Sequence, residues 1–158
     1  MNDVASNSIG SASGPVRLGR NGDVASDYGL IFRINESEFL DRGNGVRSFP
    51  FATKEAGSTQ FLSGITEIPP GKSIPFHSHS SDEFILVLDG QAIVQVWDHQ
   101  VTVGAMDATL MQQGVEHQFI NTGSTPLRIL WVYADTETTR TLVESGETFG
   151  HLDSYPTT

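Results

Sequence analysis

The sequence predicts an all-β fold, in the form of an antiparallel sandwich or a small barrel. From Val46 onward, short β-prone runs alternate with turn signals at regular spacing, which is the pattern of such folds. Asp89-Gly90 lies between two apolar runs and is a strong hairpin signal, because both residues tolerate positive φ angles. No comparable stretch shows the sustained 3.6-residue periodicity of an amphipathic helix.

The predicted strands end at turn signals such as Pro69-Pro70-Gly71 and Asn121-Thr122-Gly123. A β-like stretch, Tyr28–Ile34, precedes the series, and Thr136–Glu147 after it is expected to form one helical turn or an extended tail. The strands predicted between them are Val46–Ala52, Thr59–Ile68, Ile74–His79, Glu83–Leu88, Gln91–Trp97, Gln100–Val103, Ala108–Met111, His117–Asn121 and Leu127–Tyr133.

A chain of 158 residues is long enough for one domain with a substantial core, and no repeat or second domain is visible. Residues 1–27 are rich in Ser, Gly, Asn and Asp. Such a segment cannot bury enough apolar surface to offset its ordering entropy, so we expect a flexible or partner-bound N-terminal arm. Residues 28–134 are expected to form a single barrel, and residues 135–158 a short C-terminal extension.

Charge and composition exclude several classes of function. Nine Lys and Arg against 19 Asp and Glu give a net charge of −10, which repels nucleic acid and anionic membrane surfaces. No apolar run approaches the roughly 18 residues of a membrane helix. The N-terminus lacks the basic and apolar regions of a signal peptide, so we expect a cytoplasmic protein. Without Cys, disulfides and thiol nucleophiles are excluded, and a transition-metal site needs His and carboxylate ligands.

Four residues have a spacing that suits a divalent metal. His77 and His79 are two positions apart, so on a strand both imidazoles leave the same face. Glu83 opens the next predicted strand and His117 opens a later one. Three imidazoles and one carboxylate are a sensible ligand set. Two nearby histidines on an exposed strand, taken alone, more often have no function.

The segment from Gly71 to Gly90 resembles the first motif of the cupin superfamily at each of its fixed positions: Gly71, His77, His79, Glu83 and Gly90. The segment QQGVEHQFIN resembles the second motif, with Gly114, His117 and Asn121 in place. Two positions of the second motif differ, because Gln112 stands where Pro is usual and Met106 where the first Gly is usual. These departures affect the shape of the loop before Asp107 and leave the ligand positions filled.

The resemblance implies a cupin double-stranded β-barrel, or jelly roll, with His77, His79, Glu83 and His117 as metal ligands. It implies one divalent transition metal per subunit, with Fe(II) favoured over Mn, Ni, Zn, Cu or Co. The favoured reaction is dioxygenation of a small enolic, diketone or phenolic substrate, with Glu83 as a catalytic base. A non-oxidative isomerase, decarboxylase or lyase and a non-catalytic metal-binding or small-molecule-binding cupin are the alternatives. A homodimer is the usual arrangement of the family.

Strand alternation places Ile85, Val87, Phe119 and Asn121 on the same faces as the ligands, where they either line a substrate pocket or fill the core. On the last predicted strand, Tyr133 and Arg128 point to opposite faces. Either one can reach the pocket, and the sequence does not choose between them. The other two histidines, His99 in a turn and His151 in the tail, are expected to lie outside the site.

Overall fold

The computed structural model describes residues 14–19 and 28–155. The chain divides into two units, Met1–Glu38 and Phe39–Thr158. In the first unit, β1 (Val16–Gly19) pairs antiparallel with β2 (Tyr28–Ile31), and a 3₁₀ turn follows at Ile34–Glu36. Part of the expected N-terminal arm is therefore a strand, and residues 1–13 and 20–27 of that arm lie outside the described residues.

The second unit is built from strands, as the sequence predicts. Its members in chain order are β3 (Leu40–Asp41), β4 (Arg47–Ala52), β5 (Leu62–Ile68), β6 (His77–His79), β7 (Glu83–Asp89), β8 (Gln91–Val96), β9 (His99–Gly104), β10 (Ala108–Met111), β11 (His117–Asn121), β12 (Leu127–Tyr133), β13 (Thr139–Leu142) and β14 (Thr148–Gly150). They form two six-stranded antiparallel sheets. The strand order is β10-β7-β12-β5-β4-β3 in the first sheet and β14-β13-β6-β11-β8-β9 in the second. This confirms the jelly-roll barrel.

The core lies between the inward faces of these two sheets. On β12 the alternation is complete, because Leu127, Ile129, Trp131 and Tyr133 are buried while the residues between them are more exposed. The two sheets contribute to one apolar cluster. Ile85, Val87, Phe119 and Asn121 all belong to the buried set, as their alternation with the ligands predicts.

Several predicted strands are shorter in the structure, among them Tyr28–Ile34 and Thr59–Ile68, and two differences lie next to the predicted ligands. The strand predicted over Ile74–His79 is reduced to His77–His79, since Pro75 has no N–H to donate to a ladder. The region Thr136–Glu147, expected to be one helical turn or an extended tail, contains no helix, although Gly146 N donates to Leu142 O in a single turn after its strand. It includes the extended strand β13, which is not a free tail but pairs with β6 on one side and β14 on the other. The alternating β-branched residues of Thr139–Leu142 favour that strand, which brings the C-terminal segment against the strand that carries two predicted ligands.

Two turn positions of the motifs, Gly90 and Met106, have a left-handed backbone. Gly90, in the hairpin between β7 and β8, has a φ of 91°, and a Cβ there would lie 3.0 Å from the Leu127 Cα and from the Pro126 carbonyl oxygen. Met106 has a φ of 74°, so it keeps the left-handed backbone that a glycine adopts easily. Its side chain extends into solvent. The position where the first Gly is usual therefore keeps a left-handed backbone although its residue is Met.

In the part of the chain that the structure describes, we find no helix with the length and apolar character needed to cross a bilayer.

Candidate metal centre

The four predicted ligands come together in one buried cluster. One ligand atom from each of His77, His79, Glu83 and His117 lies within 4.8 Å of the others. His77 and His79 extend from β6, and His117 lies directly across from His77 on the neighbouring β11. Glu83 begins β7 in the opposite sheet. Because the ligands come from both sheets, the closed barrel is what assembles them.

Hydrogen bonds to backbone carbonyl groups fix the orientation and the tautomer of each imidazole ring. The Nδ1 atom of His77 lies 2.6 Å from the Pro75 oxygen, and that of His117 lies 2.9 Å from the Val115 oxygen. The Nδ1 atom of His79 lies 3.1 Å from the Thr139 oxygen. A carbonyl only accepts hydrogen bonds, so each Nδ1 carries the proton and donates it. This tautomer leaves the Nε2 lone pair of each neutral ring free to bind a metal.

The Nε2 atoms converge on one another and on the carboxylate. The Nε2 atoms of His77 and His79 are 2.9 Å apart. The Oε2 atom of Glu83 lies 2.8 Å from His117 Nε2 and 3.7 Å from His79 Nε2. Electron pairs facing each other at such distances in a buried site repel unless a cation lies among them. The donor set therefore fits a divalent transition metal.

The electrostatics of the cluster keep the ligands in the forms that bind metal. Burial, and then the charge of Arg140, lowers the pKa of His77 well below its usual value. Burial also lowers the pKa of His79, to about 3. For Glu83, burial acts to raise the pKa, but its contacts with His79 and His117 outweigh that effect and lower the pKa to about 2. Near neutral pH, His77 and His79 are thus neutral and Glu83 is ionised.

The structure resolves the choice between Tyr133 and Arg128. The Tyr133 hydroxyl lies 3.1 Å from His79 Nε2 and is completely buried. Burial, followed by the charge of Glu83, raises the pKa of Tyr133 well above its usual value, so the hydroxyl stays protonated and can donate. Arg128 instead forms an ion pair with Glu67, 2.8 Å away and remote from the ligands. Arg47 binds the other oxygen of the same carboxylate.

Two further residues lie near the ligands although the sequence does not place them in the site. His151, expected to be a bystander, is only 2% exposed. Its ring centroid lies 4.5 Å from that of Tyr133 and 5.6 Å from that of His79. Arg140 is buried on β13, opposite His79. No local pattern marks either residue, since only the return of β13 and β14 to the barrel brings them here. His99 is highly exposed, as expected.

Residues 64–133, which include all four ligands, match a family model described as a cupin domain. This part of the chain is a cupin domain. This cupin is 27% identical over 116 residues to "Tetracenomycin polyketide synthase protein TcmJ" of Streptomyces glaucescens, and the match covers 73% of this chain and 72% of that protein.

Solved structures show the same fold. A predicted oxalate decarboxylase of Thermotoga maritima superposes with a TM-score of 0.59 at 26% identity, over 66% of this cupin and 98% of that chain. The oxalate decarboxylase of Lactobacillus farciminis superposes with a TM-score of 0.64 at 20% identity, over 71% of this cupin. The match spans only 35% of that enzyme's length.

Proposed function

We propose that this cupin is a metal-dependent enzyme that acts on an enolisable ketone of the polyketide type and catalyses a non-oxidative reaction, such as ring closure. The observation that carries the proposal is the convergence of three Nε2 atoms and one carboxylate in a buried site. With three neutral imidazoles and one carboxylate, a bound divalent metal keeps a net charge of about +1 and acts as a Lewis acid towards enolate oxygen.

The chain's own residues supply an acid and a base at this site. Glu83 is ionised and can accept a proton from the carbon next to a ketone, provided that it leaves the metal. Tyr133 is protonated, and its hydroxyl lies beside His79 Nε2, where it can donate to a developing enolate oxygen. Ile85, Val87 and Phe119 continue from the ligands along the same inward faces and keep water away.

The polyketide substrate class rests on the similarity to the polyketide synthase protein of Streptomyces glaucescens, which extends over most of both chains. Poly-β-ketones enolise readily, and adjacent carbonyl oxygens form a bidentate ligand. Such a ligand matches a Lewis-acidic metal in an apolar, water-poor barrel.

The test measures turnover and metal content together. The metal-loaded protein is expected to convert a linear 1,3,5-triketone under anaerobic conditions. The Glu83→Gln variant should lose at least about 100-fold in rate, the usual contribution of a general base. Metal content is measured in both proteins, because the amide of the variant is a weaker ligand than the carboxylate. Retained activity with full metal loading in the variant would show that Glu83 is not the base.

Dioxygenation is the second candidate, because three imidazoles with a carboxylate also suit Fe(II) and can leave positions for O₂. The protein is loaded with Fe(II) anaerobically and mixed with diketones, catechols and hydroxy acids, after which O₂ is admitted and its consumption followed. Product formed only with O₂ uptake would establish the oxygenase in place of the non-oxidative enzyme. Absence of product under both conditions would indicate a binding protein.

We also propose that two copies of the chain pair through the outer face of the first sheet. Leu110 and Phe84 are register partners there and are 67% and 42% exposed. The next rung contains Ala108 and Leu86, so the face carries no charge over these positions. An uncharged apolar face of this kind is typical of a homodimer interface.

The Leu110→Asp variant should therefore be monomeric at micromolar concentration, because a dimer would bury the new charge without a partner. Light scattering measures the mass. The matched control is Val101→Asp, since Val101 is similarly exposed but lies on β9 in the second sheet. A monomeric wild type, or an equal effect of both substitutions, would contradict the proposed interface.

A further inference from the structure

A buried arginine next to the ligand cluster has no carboxylate partner in the part of the chain that the structure describes. Arg140 is 5% exposed, and no Asp or Glu oxygen among residues 14–19 and 28–155 forms an ion pair with it. Among the described residues, its Nε atom is buried without a hydrogen-bond partner. Buried charges are normally paired because an uncompensated one is costly, so a guanidinium in this position suits an anionic partner.

Arg140 is close to the metal ligands. It pairs with His79 across β13 and β6, and its guanidinium interacts with the Tyr133 hydroxyl. That hydroxyl contacts His79 Nε2 at 3.1 Å. A single hydroxyl group therefore separates the guanidinium from a ligand atom. The two ring nitrogens of His151 are also buried and have no hydrogen-bond partner among the described residues.

The C-terminal segment covers the guanidinium. Arg140 donates from Nη1 to the Tyr155 hydroxyl, and the guanidinium carbon lies 5.3 Å from the centre of the Tyr155 ring. Arg42 fixes this segment by donating to the carbonyl oxygens of His151 and Asp153 at 2.6 and 2.7 Å. Arg42 thus has its terminal nitrogens occupied, whereas among the described residues the partners of the Arg140 guanidinium are the hydroxyl groups of Tyr155 and Tyr133.

We propose that Arg140 binds an anionic oxygen group of the substrate, a carboxylate or an enolate, while the rest of the substrate reaches the metal ligands. The anion replaces the Tyr155 hydroxyl as the partner of Arg140 and also satisfies the Nε atom. A guanidinium suits this role because its planar N–H groups match two oxygen atoms. That the bound anion belongs to a substrate rests on the proposed function, but anion binding at Arg140 can be tested without turnover.

The test compares salicylate with salicylamide, which has the same shape and lacks the charge. Calorimetry on the Zn(II)-loaded protein gives both dissociation constants. The Kd of salicylamide divided by the Kd of salicylate measures the preference for the anion. Arg140→Gln should lower this ratio by about tenfold or more, as expected for loss of a charge-assisted hydrogen bond. The metal's own preference for anions cancels in the comparison between wild type and variant.

The matched control is Arg128→Gln, which removes an arginine that pairs with Glu67 away from the ligands and should leave the ratio unchanged. An unchanged ratio in Arg140→Gln, or an equal fall in both variants, overturns the proposal. Zn(II) stoichiometry is measured for each protein.

A second variant keeps the proposal testable if Arg140→Gln does not fold. Tyr155→Phe removes the competing hydroxyl and should tighten salicylate binding by about threefold or more, with salicylamide unchanged. Weaker or unaltered salicylate binding would contradict the site. A protein that shows the anion preference but turns over no polyketone retains the Arg140 site and refutes the proposed function alone.

Discussion

The His77→Ala variant is expected to bind its divalent metal at least about 100-fold more weakly than wild type. Loss of a supporting partner of a ligand already costs about 10- to 100-fold in metal affinity, so loss of a ligand should reach or exceed the upper end. In the wild type, His77 is fixed by its Nδ1 hydrogen bond to Pro75, and its Nε2 faces that of His79. Alanine leaves three of the four ligands and opens the site to water.

Metal content after purification, measured by elemental analysis, and a competition titration with a chelator check this expectation. The same elemental analysis identifies the metal, for which Fe(II) is our favoured candidate. His99→Ala is the matched control, because the His99 side chain is highly exposed and lies outside the cluster. Equal metal content in wild type and His77→Ala would refute the assignment of the centre.

Loss of the metal should also lower stability. A ligand present at about 1,000 times its dissociation constant stabilises the folded state by about 4 kcal/mol. The melting temperature of wild type should therefore fall when the metal is removed with a chelator. That of His77→Ala should respond little, because it has little metal to lose.

The metal-free protein is expected to lose stability steeply as the pH falls below about 6.5. His77, His79 and His151 are buried and neutral, and burial lowers the pKa of each in the folded state. The unfolded chain takes up protons on these residues at its ordinary histidine pKa of about 6.5. It therefore binds more protons than the folded protein, and acid favours unfolding.

Each such histidine contributes a slope of about 1.4 kcal/mol per pH unit below pH 6.5, which for His79 continues to a pH of about 3. Glu83 adds to the loss below its unfolded pKa of 4.5, because its pKa is lowered in the folded state. Since small domains have a total stability of about 5–15 kcal/mol, we expect acid unfolding within a few pH units of neutrality. Urea unfolding of the metal-free protein at several pH values measures the slope.

His151→Phe provides a specific control for this slope. The ring of His151 packs against Trp131 and Tyr133, and phenylalanine keeps an aromatic ring there without a group that titrates. The variant should show a slope smaller by about 1.4 kcal/mol per pH unit. An identical slope in the two proteins would show that His151 is not buried neutral in solution.

The barrel and the grouping of the four predicted ligands could be anticipated from the sequence, because strand alternation, turn residues and the spacing that resembles the cupin motifs can all be read along the chain. Strand alternation brings His77 and His79 to one face, and turn residues such as Asp89-Gly90 fix where the hairpins reverse. The positions of Glu83 and His117 at the starts of their strands then place them at the same end of the barrel. Strand alternation repeats every two residues and turn residues act locally, so both can be recognised without knowing which strands pair.

The other side chains around the ligands become apparent only in the folded barrel. Tyr133 and Arg128 lie on opposite faces of β12, and the choice between them depends on which face of that strand is closed by the second sheet. Arg140 and His151 come from a segment with no motif, and they reach the centre because β13 pairs with β6, about sixty residues earlier in the chain. The pairing of β13 with β6 depends on the packing of the whole barrel, and no local pattern in the sequence predicts it.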